Sequence, residues 1–409
     1  MGVILGVRAG VMVERELPTL DVMSADHAFD TSRMLAALPE GTPIARSERG
    51  LEVLGYRACQ EAFANTSLTP CMPELAAVLG VSNQDVVGFV AEELNSREGA
   101  EHSRLRAGVA GFFAPARLRR TRLSAARIAT EVIESIPAPG DCEAVQQIGV
   151  PVAARFFCRL LGVPDADADL VHRFSVGFST VLRFEEPEAY QAFRDSVDSY
   201  LLALFRTRRA DPGHDLVSHL MRAENGGNHS PEESLRLAVT MLGAGSDMVA
   251  AQIALMIAAL TEHPEQWELV RQRDDLVTGA VLECARLRPT VFATERIARQ
   301  DTELCGVPVR RGEFVFVHII AGNQDPAIYP RADRLDITRA FTHPPLTWSV
   351  GRHFCLGRTL SLIAMEEVLR AIRPRWSTMR FTAAPTTTGQ PHSVRPVAVP
   401  IAVDLAGQR

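Results

Sequence analysis

Apolar residues recur at helical spacing along most of the chain. Five segments place them three and four positions apart, which predicts helices that pack against a core. These segments are 102–135, 188–208, 231–262, 265–287 and 357–373. Shorter apolar runs bounded by glycine or proline predict strands at 291–297, 302–304, 307–309, 314–320 and 397–403. The expected fold class is mainly α with small β-sheets.

One of these segments is apolar nearly all round the helix. Ser230 supplies an N-cap, Pro231 occupies the first helical position and Glu233 the third, which together signal the start of a helix. No further proline follows until position 264, which allows about 30 residues of helix, roughly 45 Å. A helix without a polar face is predicted to cross the interior of the protein.

Two glycines, Gly243 and Gly245, lie near the middle of this predicted helix. In a helix interior the pair costs about 2 kcal/mol relative to alanine, so both positions need a structural reason. We expect the glycines either to permit a local kink or to admit something large against the backbone. A flat cofactor would meet the second requirement.

Length, composition and charge narrow the class of protein. The 409 residues are 46% hydrophobic, which suffices for one large core, and a single catalytic domain over 1–409 is the simplest arrangement. A net charge of -6 gives no overall attraction to nucleic acid, and no run of 18 apolar residues predicts a membrane span. The apolar start of the chain contains Arg8 and lacks a basic leader, so a cytoplasmic location is expected rather than secretion. All 43 basic residues are arginine, which indicates a GC-rich source.

Seven cysteines are scattered along the chain without a CxxC pair, so most are expected to be reduced and buried. Cys355 differs, because it lies between a glycine-containing segment and the helical pattern 358–372. Free backbone N–H groups at the start of a helix favour a thiolate over a thiol, and glycines let a loop approach the sulfur closely. Such a sulfur can ligate iron.

The ten residues 348–357, WSVGRHFCLG, resemble the haem-binding loop of the cytochrome P-450 family, whose pattern is F-G-x-G-x-H-x-C-x-G. The matching positions are Gly351, His353, Cys355 and Gly357. Trp348 replaces the phenylalanine, and Ser349 replaces the first glycine, which alters the local turn. The resemblance implies haem b (iron protoporphyrin IX) with Cys355 as the axial iron ligand. It also implies the cytochrome P-450 fold, with the long central helix over the haem.

Three basic side chains resemble the family's contacts to the haem propionates. His102 and Arg106 lie at i and i+4 of a predicted helix, and the resemblance implies that both pair with a propionate. Arg296 resembles the arginine that contacts a propionate from a strand. An HxxxR pattern alone is more often an exposed surface pair, so these assignments depend on the cysteine loop being correct.

The residues Glu283-Cys284-Ala285-Arg286 resemble the ExxR motif of the same family. The resemblance implies a structural cluster in which Glu283 and Arg286 meet Arg339 beneath the haem. Without the family context, a Glu and an Arg three positions apart would be an ordinary solvated helix pair.

The middle of the central helix resembles the family's oxygen-binding motif, A-G-x-[DE]. Ala244, Gly245 and Asp247 match it, which implies a catalytic role for them and attributes the glycines to room for dioxygen. The next residue departs from the pattern: Met248 stands where the family has a threonine whose hydroxyl relays protons, and a thioether cannot do this. Ser246 lies about 200° round the helix from that position and is a poor substitute.

Three functions remain open on the sequence. The first is a monooxygenase that oxidises a specialised metabolite with dioxygen and external electrons, while Asp247, water or the substrate supplies protons. The second is an oxidase that couples or cyclises an aromatic or cyclic-dipeptide-like substrate through C–C or C–N bonds without oxygen insertion. The third is an inactive family member that serves as a recruitment module. The intact Cys355 and Asp247 argue against the third.

The resemblance also implies partners and a substrate class. The sequence has no flavin or iron–sulfur segment, so ferredoxin and ferredoxin reductase are the expected electron donors. Seven arginines offer either a positive docking surface or simply a solvated helix face. They are Arg104, Arg106, Arg117, Arg119, Arg120, Arg122 and Arg127. An apolar small molecule is expected in a pocket near Gly243, Phe178, Thr290 and Phe292, in a monomer without nucleic-acid or membrane partners.

Overall fold

Helices account for most of the computed structural model, which describes residues 17–21, 35–184, 189–390 and 393–407. The α-helices in these ranges are α1 (Tyr56–Ala64), α2 (Met72–Val78), α3 (Gln84–Glu92), α4 (Gly99–Ala110), α5 (Pro115–Ser135), α6 (Val150–Leu161), α7 (Ala168–Leu182), α8 (Tyr190–Ala210), α9 (Leu216–Asn225), α10 (Pro231–Gly243), α11 (Ser246–Glu262), α12 (Pro264–Gln272), α13 (Val277–Leu287), α14 (Ile319–Asn323) and α15 (Arg358–Ile372). The prediction of a mainly helical fold is confirmed.

The strands form small separate sheets. They are β1 (Ile44–Ser47), β2 (Gly50–Val53), β3 (Leu68–Thr69), β4 (Gly140–Glu143), β5 (Ala293–Ala298), β6 (Thr302–Leu304), β7 (Val307–Val309), β8 (Phe314–His318), β9 (Trp376–Phe381), β10 (Thr386–Gln390), β11 (Ser393–Ala398) and β12 (Pro400–Leu405). The largest sheet has the order β1-β2-β8-β5-β3, with β2 and β8 parallel and its other neighbours antiparallel. A three-stranded sheet has the order β4-β12-β9, while β6–β7 and β10–β11 are two-stranded.

The central helix begins as the sequence predicts but is divided in two. The Ser230 hydroxyl accepts the Glu233 N–H at 3.2 Å, and the Glu233 carboxylate accepts the Ser230 N–H at 2.8 Å. Helix α10 ends at Gly243, two turn residues follow, and α11 begins at Ser246. Pro231–Glu262 is the one stretch of the described chain that is long and apolar enough to span a bilayer, and 78% of its most apolar window is buried, as in a core helix.

The two largest of three hydrophobic clusters in the described residues lie on either side of the cysteine loop. The larger is built mainly from helices, including most of α6, α11 and α15. The smaller packs α1 against the strands of the five-stranded sheet. Buried apolar area of this extent is the main favourable term in folding.

Several predicted boundaries need correction. Segment 102–135 is two helices, because a 3₁₀ turn at Gly111–Phe113 and Pro115 at the next helix start break the helical run. Segment 265–287 is also two helices, separated by Asp274–Leu276. Segment 314–320 changes from strand to helix after His318, and segment 397–403 spans parts of β11 and β12. Strands β1 to β4, β9 and β10 were not predicted.

Candidate active site

The cysteine loop is held by both cores. The side chains of Leu346 and Val350 pack with the sheet-side core, whereas Trp348 between them belongs to the helical core. The indole N–H of Trp348 donates to Ser361 Oγ at 3.0 Å, and the backbone carbonyl of Trp348 accepts the Cys355 N–H at 2.9 Å. The loop is therefore closed on itself just before the sulfur.

The substitution of serine for glycine in this loop strains the backbone. Ser349 has φ 58° and ψ -177°, a conformation that is essentially restricted to glycine. Its side chain makes only a long 3.4 Å contact with the Val350 carbonyl, which cannot offset a cost of about 1–3 kcal/mol. The altered turn predicted from the sequence is a strained residue close to Cys355.

The Cys355 thiol is solvent-accessible, yet it is surrounded by protein. Burial raises its pKa, while the backbone N–H groups of Gly357 and Arg358 and the charge of Arg106 lower it by less. The start of α15 therefore favours the thiolate as the sequence predicts, but burial outweighs it. A cation bound at the sulfur would stabilise the thiolate further.

A carboxylate that the sequence analysis missed organises the other basic residues of the loop. Glu98, at the N-cap of α4, accepts Arg352 Nε at 2.9 Å and lies 2.8 Å from His353 Nε2. The ring of His353 lies 4.3 Å from the ring of His102. Burial lowers the pKa of His353 to about 4, although Glu98 opposes this shift. The predicted cofactor contacts His102 and His353 therefore lie side by side.

The predicted propionate-binding arginines fit an anionic partner to different degrees. Arg296 is 8% exposed and donates to the Glu295 carbonyl at 2.8 Å, and burial lowers its pKa. Glu295 and Glu98 act on it only from beyond ion-pair distance within the described part of the chain, so this buried cation suits the acidic side groups of haem. Arg106 instead donates to the Phe354 carbonyl, beside the cysteine.

A short stripe beside the break in the central helix is accessible, while its immediate neighbours are buried. Met241, Gly245 and Met248 are partly accessible and Ala244 is exposed. The family resemblance implies that the two glycines make room for dioxygen, but the space beside them is filled by protein. A Cβ at Gly243 would lie 2.2 Å from Phe178 Cγ, and one at Gly245 would lie 2.0 Å from the Phe157 ring. Aromatic rings, rather than a cofactor or dioxygen, occupy that side of the two glycines.

Asp247 is held by groups that have no signature in the sequence. The residue is 2% exposed, with Oδ1 3.2 Å from Arg395 Nε of β11 and Oδ2 without a hydrogen-bond partner in the described part of the chain. His172 of α7 lies nearby: burial lowers its pKa and Asp247 opposes the shift. Its Nδ1 is also buried and unpaired among the described residues. These groups form a polar cluster beside Met248.

The predicted substrate-pocket residues differ in their surroundings. Phe178 is 1% exposed and packs on Gly243 and on the Phe89 ring at 5.9 Å, which favours a packing role. Thr290 is 6% exposed, and its carbonyl accepts the Val394 N–H at 2.8 Å. Phe292 is half-buried and remains a possible lining residue. The pocket assignment stays a prediction.

The predicted Glu283–Arg286–Arg339 cluster is present and fully connected. Glu283 and Arg286 are both 0% exposed and bond through two N–H···O contacts of 2.7 and 2.8 Å. Arg339 Nε lies 3.1 Å from both carboxylate oxygens. Arg286 also donates to the carbonyls of Asn323 and Ala332, each at 2.7 Å. The cluster fixes α13 to the segment that precedes the cysteine loop.

The arginine-rich segment is partly neutralised by internal ion pairs. Arg104 pairs with Glu233, and Arg122 pairs with two acidic residues of α15. Arg119 and Arg120 are exposed, and the neighbouring Leu123 is 73% exposed. The remaining positive surface is smaller than the sequence suggests.

Comparison with known proteins decides the family. The cytochrome P-450 family model matches residues 160–394, over half of the chain. This chain belongs to the cytochrome P-450 family. Luteothin monooxygenase of Streptomyces thioluteus is 31% identical over 366 residues, which cover 88% of this chain and 89% of that protein.

Two other comparisons span large parts of this cytochrome P-450. Mycinamicin IV hydroxylase/epoxidase of Micromonospora griseorubida is 33% identical over 292 residues, 70% of this chain and 73% of that protein. The crystal structure of CalO2 matches with a TM-score of 0.87 and 26% identity, covering 96% of this chain and 100% of that chain. The protein is therefore a haem-dependent oxidoreductase of the monooxygenase type, with iron protoporphyrin IX as cofactor. Bacterial members of the family receive electrons from redox partners.

The site residues fit this cofactor. Cys355 would hold the iron, and the buried Arg296 would meet a propionate, as would His102 and Arg106 beside the cysteine loop. Ala244, Gly245 and Met248 lie on the accessible stripe of the central helix.

Proposed function

We propose that this cytochrome P-450 is a monooxygenase of an apolar specialised metabolite in which Asp247 holds the proton that the missing threonine would relay. Bound haem, with the Cys355 thiolate as its ligand, supplies the chemistry that reduces dioxygen. The Asp247 carboxyl group carries the proposal, because one oxygen is paired with Arg395 while the other is buried and has no hydrogen-bond partner among the described residues. A carboxyl oxygen in that state can accept and return a proton.

The substrate class is supported by the accessible stripe and by the relatives. Met241, Ala244 and Met248 form an accessible apolar stripe on the central helix, which suits an apolar substrate. The names luteothin monooxygenase and mycinamicin IV hydroxylase/epoxidase support insertion of oxygen into a small organic molecule. We place the enzyme in the cytoplasm as a monomer.

The electron donors that we propose are a ferredoxin and its reductase. Arg119, Arg120 and the exposed Leu123 form a basic patch with an apolar centre, which suits an acidic protein. Arg119→Glu together with Arg120→Glu should slow reduction by ferredoxin, and the slowing should diminish at high salt, where the wild-type attraction is screened. Stopped-flow measurement of haem reduction tests this. Equal reduction rates for the wild type and the double variant at low salt would exclude the patch as the ferredoxin-docking surface.

The function is tested first by finding a substrate and then by following oxygen. The ferric protein is titrated with cyclic dipeptides, aromatic polyketides, macrolides and terpenoids while the visible spectrum is monitored for a low-to-high-spin shift. The responding class is then turned over under ¹⁸O₂ with ferredoxin, its reductase and a nicotinamide reductant. One labelled oxygen atom per product is the expected result. A product that has lost two hydrogens without gaining the label would contradict the proposal.

Oxidative coupling or cyclisation is the second candidate, because Met248 departs from the residue that the family's monooxygenase pattern has at this position. Coupling would also consume dioxygen, external electrons and protons, but the two hydrogens removed from the substrate would leave with the oxygen as water, so that no oxygen would enter the product. Met248→Thr should change either the product distribution or the release of hydrogen peroxide. If neither changes, Met248 does not determine the reaction.

A further inference from the structure

The break in the central helix is bridged by a residue from another helix. Ordinary bonds run from the Ala244 N–H to the Thr240 carbonyl at 2.9 Å and from the Val249 N–H to the Gly245 carbonyl at 3.0 Å. Between them, the Gly243 carbonyl and the Asp247 N–H do not bond to each other. The Ser175 hydroxyl donates to the Gly243 carbonyl at 2.6 Å and accepts the Asp247 N–H at 2.8 Å. One side-chain oxygen thus takes the place of a missing helix bond.

This arrangement differs from the usual behaviour of a buried serine in a helix. Such a hydroxyl normally bonds to the carbonyl four residues earlier in its own helix. Ser175 is 0% exposed, and both of its hydrogen bonds go to α10 and α11. Since no solvent competes for them, the bonds fix the distance between α7 and the break.

Helix α7 can approach this closely only because of Gly243. Phe178 lies three residues after Ser175 on the same face of α7, and its ring occupies the space that a Cβ at Gly243 would need. The Phe178 side chain lies against Gly243 where a Cβ would be, while the serine hydroxyl bonds to the Gly243 carbonyl. The two side chains therefore hold the end of α10 from one side.

We propose that Ser175 is a positioning residue that keeps the central helix open at Asp247 and ties this opening to the position of α7. Asp247 is then fixed twice, at its backbone by Ser175 and at its carboxyl group by Arg395. Met248 follows directly and moves with it. The catalytic consequence rests on the proposed function, because it assumes that Asp247 holds the proton.

The test compares Ser175→Ala with Ser179→Ala, which alters another buried serine one turn further along α7. Crystal structures of the resting, haem-loaded variants give a readout that does not depend on the reaction. In Ser175→Ala we expect the Gly243 carbonyl and the Asp247 N–H to approach to about 3 Å and bond directly. The amount of hydrogen peroxide released per molecule of reductant consumed should rise about 3-fold, which is the size of effect expected when one ordinary hydrogen bond that positions Asp247 is lost.

Ser175→Thr keeps a hydroxyl and should restore the open helix and the wild-type peroxide yield, whereas Ser179→Ala should change neither. If Ser175→Ala does not fold, Ser175→Cys, with a weaker donor, should show a partial closure. An open helix in Ser175→Ala, or the same peroxide increase in Ser179→Ala, would overturn the proposal. Absence of ¹⁸O from the wild-type product would refute the monooxygenase assignment but leave the structural readout valid.

Discussion

Replacement of Glu93 by glutamine should make the stability of the protein less sensitive to alkaline pH. Glu93 follows helix α3 and is 1% exposed. One of its carboxyl oxygens accepts a hydrogen bond from the Thr240 hydroxyl of α10, and the other has no partner among the residues that the structure describes. Burial raises its pKa from 4.5 to about 7, although Thr240, Arg236 and Arg194 oppose the shift. The folded protein therefore binds a proton that the unfolded chain has already released near pH 5.

Proton linkage gives the sign and the size of the change in unfolding free energy with pH. A carboxyl group with a raised pKa costs no stability below pH 4.5, where both states are protonated, and its cost is complete above about pH 7. A shift of this size corresponds to roughly 3 kcal/mol at pH 8. Glutamine has a similar shape and no charge, so Glu93→Gln should match the wild type near pH 4 and exceed its stability by roughly 3 kcal/mol at pH 8.

Urea denaturation of both proteins at pH 4.5, 6 and 8 measures the difference. Glu92→Gln is the matched control, because Glu92 is the exposed preceding residue and its substitution should give no pH-dependent gain. A stability difference between Glu93→Gln and wild type that is the same at all three pH values would refute the reasoning. So would a loss of stability at pH 8.

Three further substitutions test the backbone and the buried charges. Ser349→Gly should stabilise the protein by about 1 kcal/mol in denaturant unfolding, since relief of the strained loop exceeds the entropy gained by the unfolded chain; no gain would mean that φ 58° is not strained here. Gly243→Ala should destabilise by about 1–3 kcal/mol or more because of the 2.2 Å approach to Phe178, whereas Gly88→Ala in α3, which meets nothing within 4 Å, should be neutral or stabilising. Equal effects of the two alanines would exclude the packing argument. Arg286→Met should cost about 3–5 kcal/mol, because it leaves the Glu283 carboxylate and several carbonyls short of partners; a thermal melt within a degree of wild type would contradict this.

The features that could be predicted are those whose residues carry a local pattern. The helix start at Ser230 is such a feature, since its hydrogen bonds join residues three positions apart. The cysteine loop and the Glu283–Arg286 pair are equally local in sequence. Arg339 could be added to the pair only through the family resemblance.

Other parts of the site depend on contacts between distant segments. Ser175, Glu98 and Arg395 are ordinary polar residues in the sequence, and only the tertiary structure brings them to Asp247 or His353. Strand β2 is four residues long and pairs in parallel with β8, far along the chain, so no local signal marks it. A close approach could be predicted from Gly243, but not that an aromatic ring would make it.

The alternation of Leu346, Trp348 and Val350 between the two cores makes the haem a reporter on the whole molecule. Because the loop that carries Cys355 is positioned by packing on both sides, a cavity created far away in either core should disturb the bond that this sulfur would make to the haem iron. The visible spectrum of the bound cofactor would then register damage to remote packing before the protein unfolds. Colour can thus serve as a measure of structural integrity for any variant of this chain.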